Sequence, residues 1–345
     1  MRSSAAGGVA VVVALLVGGC AESDNAADTS DISDTSSATI ESIIEPRPTS
    51  SSVAAAASTS VAAAPETTTT TIPATVADPL ARVDLGGDAD EFAARLSVAH
   101  ATMIDVSAPA SARERAGVEY QLVLRALSDR SDLDEVVLDM VDPPARSATE
   151  RIVRARQFVQ ERTASRPSPQ PPPDELPAWT IVAPEPIDVL LTDYREAERL
   201  TGIAWYWLAA IHLQETRMGR IEGVSSAGAV GPMQFLPTTW EACCTGDPTV
   251  TRDAIIGAAT YLSQSGGPAD MAAAVYQYNP NDGYVAVVTA YAESLRDEPE
   301  LYSGYHAFQV FFGASVGTVR LPIGYSETSP IDAAKYFASN PRDAA

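Results

Sequence analysis

Cysteine and histidine are scarce, with three of each among 345 residues. Cys20 lies near the N-terminus and Cys243 and Cys244 are adjacent, so no framework of cross-links is readable. Neither Cys-x-x-Cys nor His-Glu-x-x-His occurs, and His100 has no companion at ligand spacing. The expectation is therefore no metal and no cofactor, with His100 on a helix surface. Basic residues are also few: 23 Lys and Arg stand against 45 Asp and Glu, for a net charge of −22. Without a basic run or patch, nucleic acid is excluded as a partner. The stretch Asn279-Pro280-Asn281-Asp282-Gly283 lacks the oxygen ligands and closing Glu of a calcium loop. It reads as a turn, with Asp282 capping a helix that starts near Tyr284. The adjacent cysteines leave two readings, free thiols beside a turn or a vicinal disulfide, and neither is taken as a redox site.

What is present divides the chain into five segments. Residues 1–20 join Arg2, an apolar run from Val9 to Val17 and the ending Gly18-Gly19-Cys20. This is the pattern of a secretory signal, its apolar part too short to span a bilayer. Cys20 after two small residues resembles a bacterial lipobox, which implies a lipid anchor on Cys20 at the outer face of the cytoplasmic membrane. An ordinary signal with an incidental cysteine is the other reading, and both imply export. Residues 21–80 are dominated by Ala, Ser, Thr, Asp and Pro, with no aromatic residue and Arg47 as the sole base. Such a segment cannot bury enough apolar surface to offset the entropy of ordering, so a disordered tether is expected. As a flexible coil it spans on the order of 45 Å. The unbroken run Thr67–Thr71 also fits a glycosylated stalk.

Residues 81–165 change character. Phe92, Leu96, Ala99 and Met103 keep helical spacing, as do Val118, Leu122 and Ala126, then Val136 with Met140, then Ile152, Ala155 and Val159. A small unit of about four helices is predicted, either a spacer or cover packed near the C-terminal domain or a surface for a wall component or division protein. Residues 166–186 contain eight prolines and read as a semi-rigid linker. From 187 to 345, helical patterns recur at 187–200, 202–218, 237–243, 253–263, 270–278 and 282–296, while alternating strand patterns are nearly absent. The fold class is mainly α. Tyr302, Tyr305, His306, Phe308, Phe311 and Phe312 read as a closing hydrophobic segment.

Leu200, Ala204, Trp207, Ile211, Glu215 and Met218 recur at steps of three and four along one helical seam. Glu215 thus points where the apolar side chains point, and Gln214 and Arg217 fall off the seam. A carboxyl kept partly out of water has its charged form disfavoured, which suits a general acid near neutral pH. The other reading is a surface carboxylate paired with Arg217 or Arg220. Gly219 is expected to break the helix. A glycine-rich loop comes next, and Pro232 is expected to open another helix. His212, one turn before Glu215, is expected to pack.

The run Gln214-Glu215-Thr216, then Val224 through Pro237, closing on Thr239-Trp240, resembles the active-site signature of lytic transglycosylases with a lysozyme-like domain. Tyr276-Gln277-Tyr278-Asn279-Pro280, opening into Tyr284-Val285 about sixty residues further on, is similar to that family's second signature. Gly231-Pro232-Met233-Gln234-Phe235 resembles the variant of actinobacterial murein transglycosylases, and the resemblance covers about residues 187–325. It implies a lysozyme-like fold for 187–345 with Glu215 as sole acid/base. The same resemblance implies that Met233 and Gln234 border the glycan cleft, with Ser225, Gly228 and Asn279 also at the substrate, and that Tyr278 hydrogen-bonds near Glu215 and orients it. Where the family has Ser after the Glu, this chain has Thr216, and the hydroxyl is retained.

The implied reaction is cleavage of the MurNAc–GlcNAc bond of peptidoglycan with closure of a 1,6-anhydro ring. Ordinary glycosidases use two carboxylates, so the rival on the same fold is a muramidase with Asp247 or Glu222 activating water. A second rival is a non-catalytic peptidoglycan-binding lipoprotein that keeps the cleft without turnover.

Overall fold

The computed structural model describes residues 88–168 and 171–341. The expected signal, the tether and Cys20 lie outside these residues. The protein is mainly helical. Asp88 caps α1 (Ala89–Ile104) through its side chain, and α2 (Ala110–Ser128), α3 (Asp134–Met140) and α4 (Pro143–Ala164) come after it. Pro143 and Pro144 sit in the first turn of α4, where their missing donors cost nothing.

The predicted faces hold for α1, where Phe92, Leu96, Ala99 and Met103 are all buried. They shift on α2 and α3. Tyr120, Val123 and Leu127 turn inward on α2, and Val137 and Leu138 on α3, while Val136 and Met140 are exposed. The buried face of each is rotated by about one position from the expected one. His100 is fully buried, not on the surface, with Nε2 2.9 Å from a Glu298 carboxylate oxygen.

The proline-rich stretch contributes two short strands, β1 (Glu175–Leu176) and β2 (Thr180–Ile181). Next come α5 (Ile187–Thr201), α6 (Trp205–Thr216) and β3 (Ile221–Glu222), then α7 (Pro237–Cys243), α8 (Thr251–Gln264), α9 (Met271–Tyr278), α10 (Asp282–Asp297) and α11 (Leu301–His306). A hairpin, β4 (Val310–Ala314) with β5 (Gly317–Leu321), then β6 (Ile331–Asp332) and α12 (Ala333–Ser339) complete the order. The cap of α10 is Asn281, whose side chain accepts from Tyr284 N at 3.1 Å, one residue before the expected Asp282.

Two cores result. The larger is shared by residues on both sides of the proline-rich stretch: Phe92, Tyr120 and Val153 join Ile211, Tyr284 and Tyr291 in one apolar cluster. Helix α10 is the common wall, packing against α4 and α6. At the crossing of α2 and α11 the backbones touch, since a Cβ on Gly117 would lie 2.2 Å from the Gly304 carbonyl oxygen. The smaller core is built on three antiparallel pairs, β1–β6, β2–β3 and β4–β5, around Trp179, Phe312 and Val319. Strand β4 escapes an alternation search because Val310, Phe311, Phe312 and Ala314 are all buried. Among the described residues no helix is long and apolar enough to cross a membrane. Cys243 and Cys244 form a vicinal disulfide at the end of α7.

Candidate active site

Helix α6 is buried on nearly every side: Leu208 through Thr216 are all inside. This revises the single seam. Leu200 is 53% exposed and belongs to α5, which ends on Gly202 in the left-handed region (φ 80°). Gln214 and Arg217, expected off the buried side, are as buried as Glu215. What takes Glu215 out of water is the central position of the whole helix.

The helix ends at Thr216, three residues before Gly219. Arg217 (φ 55°), Met218 (φ 61°) and Gly219 (φ 81°) are consecutive left-handed residues, a conformation costing about 1–2 kcal/mol for each non-glycine. Arg217 N bonds to the Leu213 carbonyl and Met218 N to that of His212, both at 3.2 Å, and Arg217 Nη1 bonds to the Leu213 carbonyl at 2.6 Å. Thr216 Oγ1 donates to the Pro232 carbonyl at 2.6 Å and accepts from Gly219 N at 3.1 Å. One hydroxyl thus fixes the sharp turn behind Glu215 and ties it to the segment carrying Met233 and Gln234. Strain held by surrounding bonds in this way clusters at functional sites.

Glu215 is 4% exposed. Its Oε1 accepts from the Tyr284 hydroxyl at 2.5 Å, and Oε2 has no hydrogen-bond partner. Burial pushes its pKa up to about 8, against the opposing pull of the Tyr284 bond. The causes of that shift are burial and the Tyr284 bond, with no charged neighbour among them. The group is mostly protonated at neutral pH.

The loop after β3 is closed by Ser225, whose Oγ accepts from Ala229 N at 2.9 Å. Gly228 (φ 84°) has open space where a Cβ would lie. Val230 and Phe235 exchange two backbone bonds across a tight turn that includes Pro232, so Pro232 does not open a helix; α7 starts at Pro237. Gly231 (φ 76°) allows this turn to press on 248–249: a Cβ there would meet the Pro248 oxygen at 1.8 Å. Gln234 is itself left-handed (φ 51°), with Nε2 on the Gly231 carbonyl at 2.9 Å.

Part of the chain is similar to a murein transglycosylase. A stretch of 128 residues is 28% identical to the membrane-bound lytic murein transglycosylase F of Thiobacillus denitrificans, covering 35% of this chain and 27% of that protein. The chain therefore spans well under a third of the length of that relative. No protein-family model matches the chain, and no solved structure matches it.

The predicted site residues fall into place unequally. Glu215, Tyr278, Met233 and Thr216 with Pro232 lie on adjoining elements; Tyr278 was expected to hydrogen-bond near Glu215, and the hydroxyl that bonds Glu215 itself is that of Tyr284. Tyr278 instead donates to the Met233 carbonyl at 2.6 Å. Its ring is fully buried, edge-on to Phe235 at 5.6 Å. Met233 is fully buried too, so its side chain packs in the core, while Gln234 is 7% exposed. Asn279 is 5% exposed with Nδ2 unpartnered. The asparagine cap of α10 is the signal that would have found Tyr284, since it fixes the first turn of α10 and turns Tyr284 inward. His212 packs as expected: Nδ1 lies 2.8 Å from the Tyr194 hydroxyl, and burial lowers its pKa to about 3, so it stays neutral. Among the described residues no group of three or more His, Cys, Asp or Glu is placed to hold a metal.

Proposed function

We propose that this chain is an exported lytic transglycosylase that cuts peptidoglycan glycan strands, with Glu215 serving first as acid and then as base. The observation that carries the reading is the state of Glu215: buried, held through one oxygen by Tyr284, free at the other, and protonated at neutral pH. The partial similarity to a lytic murein transglycosylase supports peptidoglycan as the substrate.

Glu215 donates its proton to the glycosidic oxygen between MurNAc and GlcNAc, and the C1–O4 bond breaks as GlcNAc leaves with that proton on O4. The substrate's N-acetyl oxygen stabilises the positive charge at C1, as in substrate-assisted glycosidases. The carboxylate then takes the proton from the MurNAc C6 hydroxyl while O6 bonds to C1, closing the 1,6-anhydro ring and restoring the acid. No water is consumed. Ser225, Gly228, Gln234 and Asn279 line the sugar path, Met233 and Tyr278 support it from behind, and Tyr284 orients the acid. A lipid anchor on Cys20, a tether over 21–80 and a lysozyme-like domain over 187–345 complete the proposal.

The single-carboxylate form is favoured because both candidates for a second one are exposed and stand apart from Glu215's electrostatics. Asp247 Oδ1 accepts from Thr249 N at 2.8 Å within its own turn, and Glu222 lies on the solvent side of β3. Mass spectrometry of purified peptidoglycan digested with the full chain and with Glu215→Gln tests it. Anhydro ends made by the first and not the second are expected. Reducing ends would make the protein a muramidase, and equal glycan binding without products from either would make it a binding lipoprotein.

A further inference from the structure

The turn that carries Met233 and Gln234 is anchored on its inner side by Thr216 and Tyr278, whose hydroxyls donate to the Pro232 and Met233 carbonyls. Its outer side meets the loop between α7 and α8. The Pro248 carbonyl oxygen and the Thr249 Cα stand 1.8 and 3.3 Å from where a Cβ on Gly231 would lie. Backbone rests on backbone there, so a displacement of the loop is passed to the turn. Gln234, a non-glycine residue at φ 51°, keeps that conformation only where its surroundings enforce it.

The loop is fixed at both ends. Toward α8, Asp253 Oδ2 accepts from Asp247 N at 3.1 Å, and Asp247 Oδ1 accepts from Thr249 N at 2.8 Å. Toward α7, the chain leaves the helix at Cys244 with extended backbone (φ −131°, ψ 168°). Helix α7 has seven residues and no side-chain cap, too short to keep its last turn by its own bonds. The Cys243–Cys244 disulfide closes a ring through the peptide unit at that point and removes backbone freedom there. Both cysteines are half-buried and pack on the larger core. Trp240, which accepts from Cys244 N through its carbonyl at 2.9 Å, donates Nε1–H to the Gly246 carbonyl at 3.3 Å, and its ring lies against Gly257 of α8. The direction in which the loop starts is therefore set by the disulfide and Trp240 together.

We infer that the Cys243–Cys244 disulfide is a positioning element for glycan binding: it fixes the α7–α8 loop against Gly231 and so holds Gln234 in the form that receives a sugar. The inference deepens the glycan-cleaving reading and rests on it for the ligand. Neither cysteine touches substrate. The bond to Glu215 comes from α10, so loss of the disulfide loosens the sugar path and leaves the acid in place. A small dithiol reduces the bond by passing two electrons and two protons to the sulfurs, giving two thiols while it closes to its own cyclic disulfide.

The test joins hydrogen exchange of the full chain, oxidised and reduced with dithiothreitol, to co-sedimentation of the full-length Glu215→Gln protein with purified peptidoglycan, which reads binding without turnover. Reduction should speed exchange over 244–250 and at Gln234 N and Phe235 N, which bond to the Gly231 and Val230 carbonyls, while α10 stays protected. The half-saturating amount of peptidoglycan should rise about 5-fold. A protein carrying both Cys243→Ser and Cys244→Ser should bind that weakly with or without dithiothreitol. It keeps Cys20, so a dithiothreitol effect that persists in it overturns the assignment to the vicinal pair. Faster exchange confined to 244–250, or equal peptidoglycan binding by oxidised and reduced protein, overturns the proposal. If the serine variant fails to fold, exchange and binding of the reduced protein decide alone. An oxidised protein that neither binds nor cleaves peptidoglycan would refute the glycan reading and the ligand named here, whereas loosening of Gln234 and Phe235 in that protein would still uphold the disulfide's hold on the turn.

Discussion

Glu215 ties activity and stability to the same proton. Its pKa is about 8 in the folded chain against 4.5 as the ordinary value, so the native state binds a proton between those limits that the unfolded state releases. The stability this contributes is complete below pH 4.5 and is lost as pH rises through about 8, at about 1.4 kcal/mol per unit. Glu215→Gln has no such proton. Relative to wild type it should be near neutral in urea unfolding at pH 4 and more stable by on the order of 4 kcal/mol at pH 9, while losing all cleavage. Matching differences at both pH values would refute the buried acid. The two tyrosines separate on a second axis. Tyr284 donates to the carboxylate and favours its charged form, so Tyr284→Phe should move the alkaline limb of kcat/KM upward and lower kcat by about 10- to 100-fold. Tyr278→Phe loses a bond to the Met233 carbonyl, so KM should rise and the limb stay where it is. A limb displaced equally by both variants would count against these separate roles.

Among the elements, two glycines distinguish packing from backbone conformation. Gly117 has ordinary helical backbone, yet its missing Cβ is what lets α2 cross α11, whose Gly304 carbonyl cannot yield as a side chain can. Gly117→Ala should cost about 3 kcal/mol in denaturant unfolding. Gly202 has open space around it and a left-handed φ of 80°, so Gly202→Ala should cost about 1 kcal/mol by conformation alone. Equal losses would remove the backbone contact as an explanation. Local and long-range causes divide in the same way over what was legible in the chain. The helices from α5 to α10 stand within a few residues of their predicted limits, because glycine, proline and side-chain caps punctuate them locally. Which side of α2 or α3 turns inward was not legible, since a neighbouring register also offers apolar residues and only packing against α1 and α11 chooses between them. Strand β4 of the hairpin lacked alternation because it is buried on both faces. At the site, the motif carried Glu215, but whether Tyr278 of α9 or Tyr284 of α10 bonds it depends on how those two helices pack around α6, a long-range fact.

At the scale of the molecule, the helices before the proline-rich stretch are part of what holds the acid in place. Tyr284, which bonds Glu215, sits on α10, and α10 packs on α4 on one side and α6 on the other. Val159 of α4 lies so close to Gly283 that a Cβ there would approach it to 2.9 Å. Arg151 of α4 also pairs with Asp297 and Glu293 near the end of α10. Removing α1–α4 would bare an apolar wall of α10 and α11, including Tyr291, Leu295 and Tyr305, each now almost wholly buried. A fragment of residues 166–345 should therefore lack cooperative unfolding and near-ultraviolet dichroism even though it contains every motif residue, whereas residues 88–345 should unfold in one transition. Because burial of Glu215 depends on that wall, the short fragment should also lose anhydro-product formation. A folded, active 166–345 fragment would show instead that α1–α4 are a separable cover and that α6 and α8 suffice to keep the carboxyl dry.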